Sequence, residues 1–387
     1  MSCIDKPKIR RIYKKSREIF KKCSLENGAI IAADVFDKDY PKDVKWYGYV
    51  WPRDASFVCY ACDLIGLHEI PEKFFKWCWE YAEGLKENGI FLAQKYYPNG
   101  RVAGDSDNEI RTRTTEIRKL SEKYRKLKWF YIQTQYDHSG LVLWAIYEHS
   151  NFEDVSGFKE MIKKIANGIC DHWKKYCFKL PSHDLWEERV AYPNLRQVHI
   201  FTLATCIKGL ECASSLLGKR EGWQKTIKEM KDVLEKSFLR DLGHFVRISG
   251  TEIDKTVDSS LFGLVWPTQQ FSPNDERIVS TVNKILSENE VNGGIYRYKG
   301  DKYCGKIEFG DLKLSGGGSW PILNFWASIY FSLKGEKEKA LKYFNWVIER
   351  VEEKIPEQIK NNKPSSIIPL TWSHAMFVIA GKFLNLF

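Results

Sequence analysis

Helical periodicity from one end to the other constrains this chain more than any other feature. Apolar residues recur at three- and four-residue spacing over 8–23, 54–67, 71–86, 136–149, 152–176, 195–217, 221–238, 259–266, 274–288, 319–333, 337–354 and 371–384. Strand signals are few. No Gly/Ser/Pro-rich hinge separates the segments, so the twelve helices read as one domain over 1–387. The intervening loops alternate in character. Those ahead of the third and later odd helices are short, and those ahead of the even helices are mostly long and rich in Trp, Tyr, Asp, Glu and Arg. If the odd helices form an outer ring and the even helices an inner one, the chain is an all-α toroid of six inner and six outer helices. Every long loop would then open at one end, beside the positive ends of the inner helices. A helical solenoid would string such residues along a groove, and no regular sequence period supports one.

Composition narrows the class further. With 43% hydrophobic and 28% charged residues, the 387-residue chain is neither disordered nor a small disulfide scaffold. Its 14 Trp, 19 Tyr and 22 Phe suit ring or sugar recognition as well as packing. A net charge of +10 reads as scattered surface lysine rather than a nucleic-acid surface, and its densest stretch, 111–128, reads as a solvated helix or loop. The start lacks the apolar core of a signal peptide, and the longest uncharged run, 314–333, is a poor membrane span because it holds a Gly triplet, Pro321 and Asn324. Ten cysteines without a secretion signal then point to reduced thiols and a cytoplasmic location. Cys59 and Cys62 form a C-x-x-C with no matching second pair, so small buried thiols are expected rather than a zinc site. No phosphate-binding loop, dinucleotide fingerprint, G-x-S-x-G or H-E-x-x-H occurs, and neither a cofactor nor a metal is expected.

Three clusters could carry chemistry. Tyr47-Gly48-Tyr49-Val50-Trp51-Pro52-Arg53-Asp54 sets aromatics beside an Arg–Asp pair at a helix start. Alone it reads as a helix cap with a local ion pair. Read with sugar chemistry, the pair supplies acceptors and forked donors for vicinal hydroxyls, and the ring covers the apolar face of a pyranose. His183-Asp184-Leu185-Trp186-Glu187-Glu188-Arg189 puts two carboxylates beside a Trp. It is either a solvated acidic turn or a site where one carboxyl holds its proton for delivery to a leaving oxygen. Ile355-Pro356-Glu357-Gln358 is weak alone, yet a second carboxylate distant in sequence is what an inverting hydrolase needs to activate water. His199 and His374 are expected to pack and hydrogen-bond rather than ligate metal.

Six pieces in order carry a resemblance that covers the chain from about residue 45 nearly to its end. They are Tyr49–Ala55, Gln135-Tyr136-Asp137, Asp184–Arg189, Gly294-Ile295-Tyr296-Arg297-Tyr298, Pro356-Glu357-Gln358 and Pro369-Leu370-Thr371-Trp372-Ser373-His374-Ala375. Together they resemble glycoside hydrolase family 15, the glucoamylase family, which also holds glucodextranases and some trehalases. The resemblance implies an (α/α)6 toroid and inversion at an α-glucosidic bond. It implies Glu187 as general acid and Glu357 as general base, roughly 6.5–9.5 Å apart. Arg53, Asp54, Asp137, Glu188 and Arg297 would hold the sugar, and Trp51, Trp186 and Trp320 would line the pocket. The implied partner is an α-glucan or α-glucoside from which glucose leaves at the non-reducing end. The alternatives are an α,α-trehalase of the same family and a non-catalytic glycan-binding protein. This sequence departs from the family's pattern at Tyr131, where a Trp is common, and at Met376, where many relatives have Glu. The N-terminal β-sandwich usual in prokaryotic relatives is expected to be absent. Self-association or a separate partner chain could stand in for it.

Overall fold

The computed structural model describes residues 5–103, 133–305 and 317–387. The basic stretch 111–128 and Tyr131 lie outside the described residues. The chain opens with α1 (Lys6–Cys23), α2 (Pro52–Asp63), α3 (Glu69–Glu80) and the short α4 (Leu85–Asn88). Then come α5 (Asp137–His149), α6 (Lys159–His172), α7 (Ile200–Leu217), α8 (Glu221–Lys236) and a 3-10 helix at Ser259–Leu264. The last four are α9 (Glu276–Asn289), α10 (Pro321–Leu333), α11 (Lys337–Ile348) and α12 (Thr371–Phe383).

Contacts between these elements close a ring. In sequence order α2 packs on α5, α5 on α7, α7 on the 3-10 helix, that helix on α10, α10 on α12, and α12 back on α2. Around them α1 lies against α12 and α2, α6 against α5 and α7, α8 against α7, and α11 against α10 and α12. The sequence pattern explains the two layers. Outer helices such as α1, α6 and α8 bury one stripe, whereas α7, α10 and α12 are apolar around most of their circumference because they are covered on most sides. Among the described residues α7 is the one helix long and apolar enough to cross a membrane, and two thirds of it is buried in this ring. Its crossing with α5 needs bare backbone: a Cβ on Gly140 would fall 2.3 Å from the Thr205 carbonyl, and one on Gly209 would fall 2.8 Å from the Gly140 Cα.

Several expected helices are shorter than their periodicity. The 71–86 segment ends at Glu80, and Gly84 in the left-handed region starts the separate α4. The 152–176 segment begins with a 3-10 turn and ends in the hairpin strands β1 (Trp173–Lys174) and β2 (Cys177–Phe178). The 259–266 segment is a 3-10 helix capped by Asp258, whose carboxylate accepts from Ser260 N, and it stops just ahead of Pro267. Two-stranded ribbons fill the long loops, and the last of them, Gln358–Lys360 paired with Lys363–Ser365, shapes the site. Cys59 and Cys62 are buried free thiols whose ionisation burial opposes, as expected of packing residues.

Candidate active site

The candidate residues gather where inner elements begin. Trp51 precedes α2, Asp137 opens α5, Trp320 precedes α10, and Glu357 lies on the loop leading to α12. Pro52 and Pro321 occupy first-turn positions, where the missing N–H costs no helical bond and the fixed φ starts the helix. One end of the ring thus collects side chains separated by hundreds of residues.

Arg53 is the anchor of one wall and is only 3% exposed. Its Nε donates to Asp54 Oδ1 at 2.9 Å, and its Nη1 donates to Gln135 Oε1 at 2.9 Å and to Asp137 Oδ2 at 3.4 Å. Burial pushes the Asp54 carboxyl up to about 6 against the pull of Arg53, with Glu187 and Asp137 adding to the rise. Asp137 has no exposure and reaches the site through Arg53.

Glu187 sits on a turn that the sequence alone does not reveal. Its φ is +64°, a left-handed conformation costing a non-glycine residue about 1–2 kcal/mol. Asp184 holds that turn: its carbonyl accepts from Glu187 N at 3.0 Å, and its Oδ1 accepts from Glu188 N at 2.9 Å and Arg189 N at 3.1 Å. Behind it, Asp184 Oδ2 accepts from Arg247, whose Nε lies 3.3 Å from Asp258 Oδ2. Asp258 in turn accepts from Trp186 Nε1 at 3.0 Å. Burial opposes ionisation of Asp184, but Arg247, His199 and the turn's backbone N–H hold its carboxyl well below the usual range. In front, Trp51 Nε1 donates to Glu187 Oε1 at 2.6 Å.

Glu357 is built differently. It is 3% exposed, its Oε1 accepts from the Tyr47 hydroxyl at 3.0 Å, and its Oε2 accepts from the Ser366 hydroxyl. The two-stranded ribbon folds Ser366 back onto it, with Glu357 N donating to the Ile367 carbonyl at 2.8 Å. Burial pushes this carboxyl up to about 7, while Ser366, Tyr47, Arg297 and Lys45 pull it back. His374 Nε2 accepts from Ile355 N at 2.9 Å, and its Nδ1 donates to Ser16 of α1, so this histidine pins the loop rather than a metal. Met376 is fully buried in α12 and meets no solvent.

The floor between the carboxylates is aromatic. Arg297, 1% exposed, binds Asp301 through two bonds and Glu188 Oε1 at 2.6 Å, and Tyr298 donates to the other Glu188 oxygen. Its guanidinium lies 5.5 Å from the Trp186 ring centroid, 5.1 Å from Trp320 and 4.9 Å from Tyr303. Glu188 is therefore fully engaged as an orienting group. Tyr303 shares a hydroxyl contact with Tyr47, Tyr47 donates to Glu357, and the Tyr47 ring lies 5.2 Å from that of Trp51, the donor to Glu187, so one set of aromatic residues links the two carboxylates. Each of the ten residues named from the sequence belongs to this constellation. Sequence reasoning missed Ser366, Tyr303, Arg247 and Asp258, and it gave Tyr47 no role beyond its place in an aromatic run. None of them sits in a motif that names its partner. Among the described residues no group of three or more His, Cys, Asp or Glu is placed to hold a metal ion.

Comparison with known proteins identifies the family and the fold. Residues 21–349 match the family described as Glycosyl hydrolases family 15, a match that ends ahead of Glu357. The chain is 31% identical to Uncharacterized glycosyl hydrolase MJ1610 of Methanocaldococcus jannaschii over 92% of its own length, and spans about half, 53%, of that protein. It is 22% identical to the isomaltose glucohydrolase of Kribbella flavida over 98% of this chain and 94% of that one. A solved wild-type glycosidase, 19% identical, shares the fold with a TM-score of 0.75 over 99% of this chain and 100% of its own. By the family match over most of its length and the 31% identity to a glycosyl hydrolase, the chain belongs to glycosyl hydrolase family 15.

Proposed function

We propose that the chain is an inverting, exo-acting α-glucoside hydrolase that releases glucose from the non-reducing end of an α-glucan or oligosaccharide. The observation that carries this reading is the pair of unlike carboxylates around one aromatic cavity. Glu187 is half-buried and accepts from Trp51, and Glu357 is enclosed with both oxygens accepting hydrogen bonds. Donors on both oxygens favour the carboxylate anion, which suits Glu357 to take a proton from water. Glu187 faces the leaving oxygen and gives its proton to it. Both act without a covalent intermediate, so the configuration inverts. Arg53 and Asp54 hold hydroxyls of the terminal glucose, and Trp51, Trp186 and Trp320 cover its apolar faces.

A base with a carboxyl near 7 is active where it is ionised, so kcat/KM rises with pH through about 7 on its acidic limb. Reversed roles, with Glu357 as proton donor, would make kcat/KM fall there instead. Glucose release from maltose, maltotriose, isomaltose, trehalose and soluble starch, followed by proton NMR, tests the reading. β-Glucose as the first anomer from a maltooligosaccharide is expected. Initial α-glucose would sink inversion, and no release from any of the substrates by folded protein would sink hydrolysis. The similarity to an isomaltose glucohydrolase along nearly the whole of both chains makes isomaltose the first substrate to try among disaccharides.

A further inference from the structure

A surface turn reaches Glu357 from behind. After α1 the chain makes the turn 34–40, whose crest, Phe36, is 90% exposed. Its own carboxylates shape it: Asp34 Oδ1 accepts from Phe36 N at 3.1 Å, and Asp37 Oδ1 accepts from Asp39 N at 2.9 Å. Such bonds to the backbone two residues on are what Asp contributes to any turn. The tie to Lys354 is different. Its Nζ donates to Asp37 Oδ1 at 2.5 Å and to Asp39 Oδ2 at 2.6 Å, across more than 300 positions. Lys354 stands three residues ahead of Glu357, so the turn is fastened to the loop that carries this carboxylate.

Tyr40 ends the turn, half-buried, and its hydroxyl is used twice. It donates to the Lys45 carbonyl at 2.5 Å and accepts from Tyr47 N at 3.0 Å. One oxygen thus closes the bend 45–47. The Tyr47 carbonyl accepts from Ala33 N at 3.1 Å, and Lys45 N donates to the Gly305 carbonyl at 3.1 Å. With both of its backbone polar groups bound, Tyr47 carries its ring from a fixed point. Its hydroxyl donates to Glu357 Oε1 at 3.0 Å and meets the Tyr303 hydroxyl at 2.5 Å. A hydrogen bond weakens steeply once its angle slips, so a donor on a loop is only as good as the hold on that loop.

We infer that Tyr40 is a positioning residue of the proposed hydrolysis: it acts through Tyr47, keeping that hydroxyl on Glu357, and does not itself bond the carboxylate. The inference rests on the proposed role of Glu357 and extends the site to a phenol behind it. The groups that bear on the Glu357 charge are Tyr47 and Lys45 from the same loop, Arg297 and Tyr303, and Ser366 from the ribbon. Burial, with the Glu357 charge adding to it, pushes the Tyr40 phenol up to about 12 against the pull of Tyr47 N–H. Tyr40 therefore keeps the proton it gives to Lys45 throughout the range in which Glu357 titrates. Without the Tyr40 hydroxyl, Tyr47 N loses its partner and the Tyr47 donor loosens. The Glu357 anion is then less well stabilised, and its carboxyl rises.

Two titrations of one carboxyl test this. The acidic limb of kcat/KM is measured for wild type, Tyr40→Phe, Tyr47→Phe, the double variant and Phe36→Ser, with circular dichroism as the check on folding. Carbon-13 NMR of protein labelled at the glutamate Cδ reads the same carboxyl without turnover, its resonance assigned by its loss in Glu357→Gln. Tyr40→Phe keeps the ring and is expected to move both titrations upward by about half a pH unit, and Tyr47→Phe by more. The double variant is expected to move them no further than Tyr47→Phe alone, because one residue acts through the other. Phe36→Ser, on the crest of the same turn, is expected to move neither. An unmoved or downward titration in Tyr40→Phe overturns the inference. So does a double variant in which the two shifts add in full, or a shift in Phe36→Ser equal to that of Tyr40→Phe. If folded wild type cleaves no sugar, the hydrolysis reading fails, and the NMR titration still decides whether Tyr40 governs Glu357.

Discussion

The walls that carry Glu187 and Glu357 are held by opposite means. On the Glu187 side the backbone is strained and the side chain has one donor. The position is held by Asp184, and through it by a buried Arg247–Asp258–Trp186 chain. On the Glu357 side the backbone is tied into a ribbon, and two hydroxyls grip the carboxylate itself. One wall positions its group through the main chain, and the other tunes its group through direct contact. Substitutions behind Glu187 should therefore cost geometry and stability together. Substitutions around Glu357 should move its proton affinity with little effect on the fold.

The largest expected effect removes the distinction at its centre. Glu357→Gln keeps shape and one acceptor but cannot take a proton, and should lower kcat about 10²–10⁴-fold with sugar affinity nearly kept. Isothermal titration beside steady-state kinetics reads both quantities, and substantial turnover would end the base assignment. Next comes the tether of the other wall. Asp184→Asn leaves buried Arg247 with weaker compensation and should cost about 3 kcal/mol in urea unfolding together with about tenfold in kcat/KM. A loss of activity without loss of stability would contradict the coupling argued for that side.

Smaller still is a shift in pH dependence. Ser366→Ala deletes a donor to the anion, so the Glu357 carboxyl should rise further and the acidic limb of kcat/KM should move upward by about one pH unit, with unfolding nearly unchanged. Tyr47→Phe should act in the same direction, and a downward move would refute the donor roles. The last effect is thermal. Glu357 ordinarily ionises near 4.5 and in the folded protein near 7, so the native state binds more protons between those values and stability falls as pH rises across them. Glu357→Gln stays neutral. Its Tm should exceed that of wild type by about 1–3 °C at pH 8, and the two should converge near pH 4 in calorimetry.

What could be read from the sequence followed from how local each signal is. The inner and outer helices were legible because their periodicity lies within each segment, but their starts were not: the periodic runs begin at 54 and 319, whereas α2 begins at Pro52 and α10 at Pro321. Glu187, Glu357, Arg53 and Arg297 were legible because short runs around them resemble a known family. The residues that shape those groups were not. Tyr47 meets Glu357 across 310 positions, and Arg247 meets Asp184 across 63. Only closure of the ring sets those pairs, and a phenol or guanidinium carries no mark of a partner that distant. The left-handed turn at Glu187 was equally silent, because nothing in Asp-Leu-Trp-Glu-Glu forbids an ordinary turn until Arg247 pins Asp184. Segment ends were misjudged for a related reason: periodic apolar residues at 173–176 belong to a hairpin that uses them just as well.

The hydrogen bond between Ser16 and His374 has a consequence for how the molecule is made. It spans 358 positions, and the same imidazole holds Ile355, two residues before Glu357. The loop that carries Glu357 is thus locked by a clasp between α1 and α12, two helices far apart in the sequence. While the chain emerges from the ribosome, Arg53 on α2 and Asp137 on α5 can meet before α12 is made, but until then the clasp has no second half. A chain halted before Thr371 has only one half of the clasp, so the loop carrying Glu357 should lack this hold however well the earlier helices have packed.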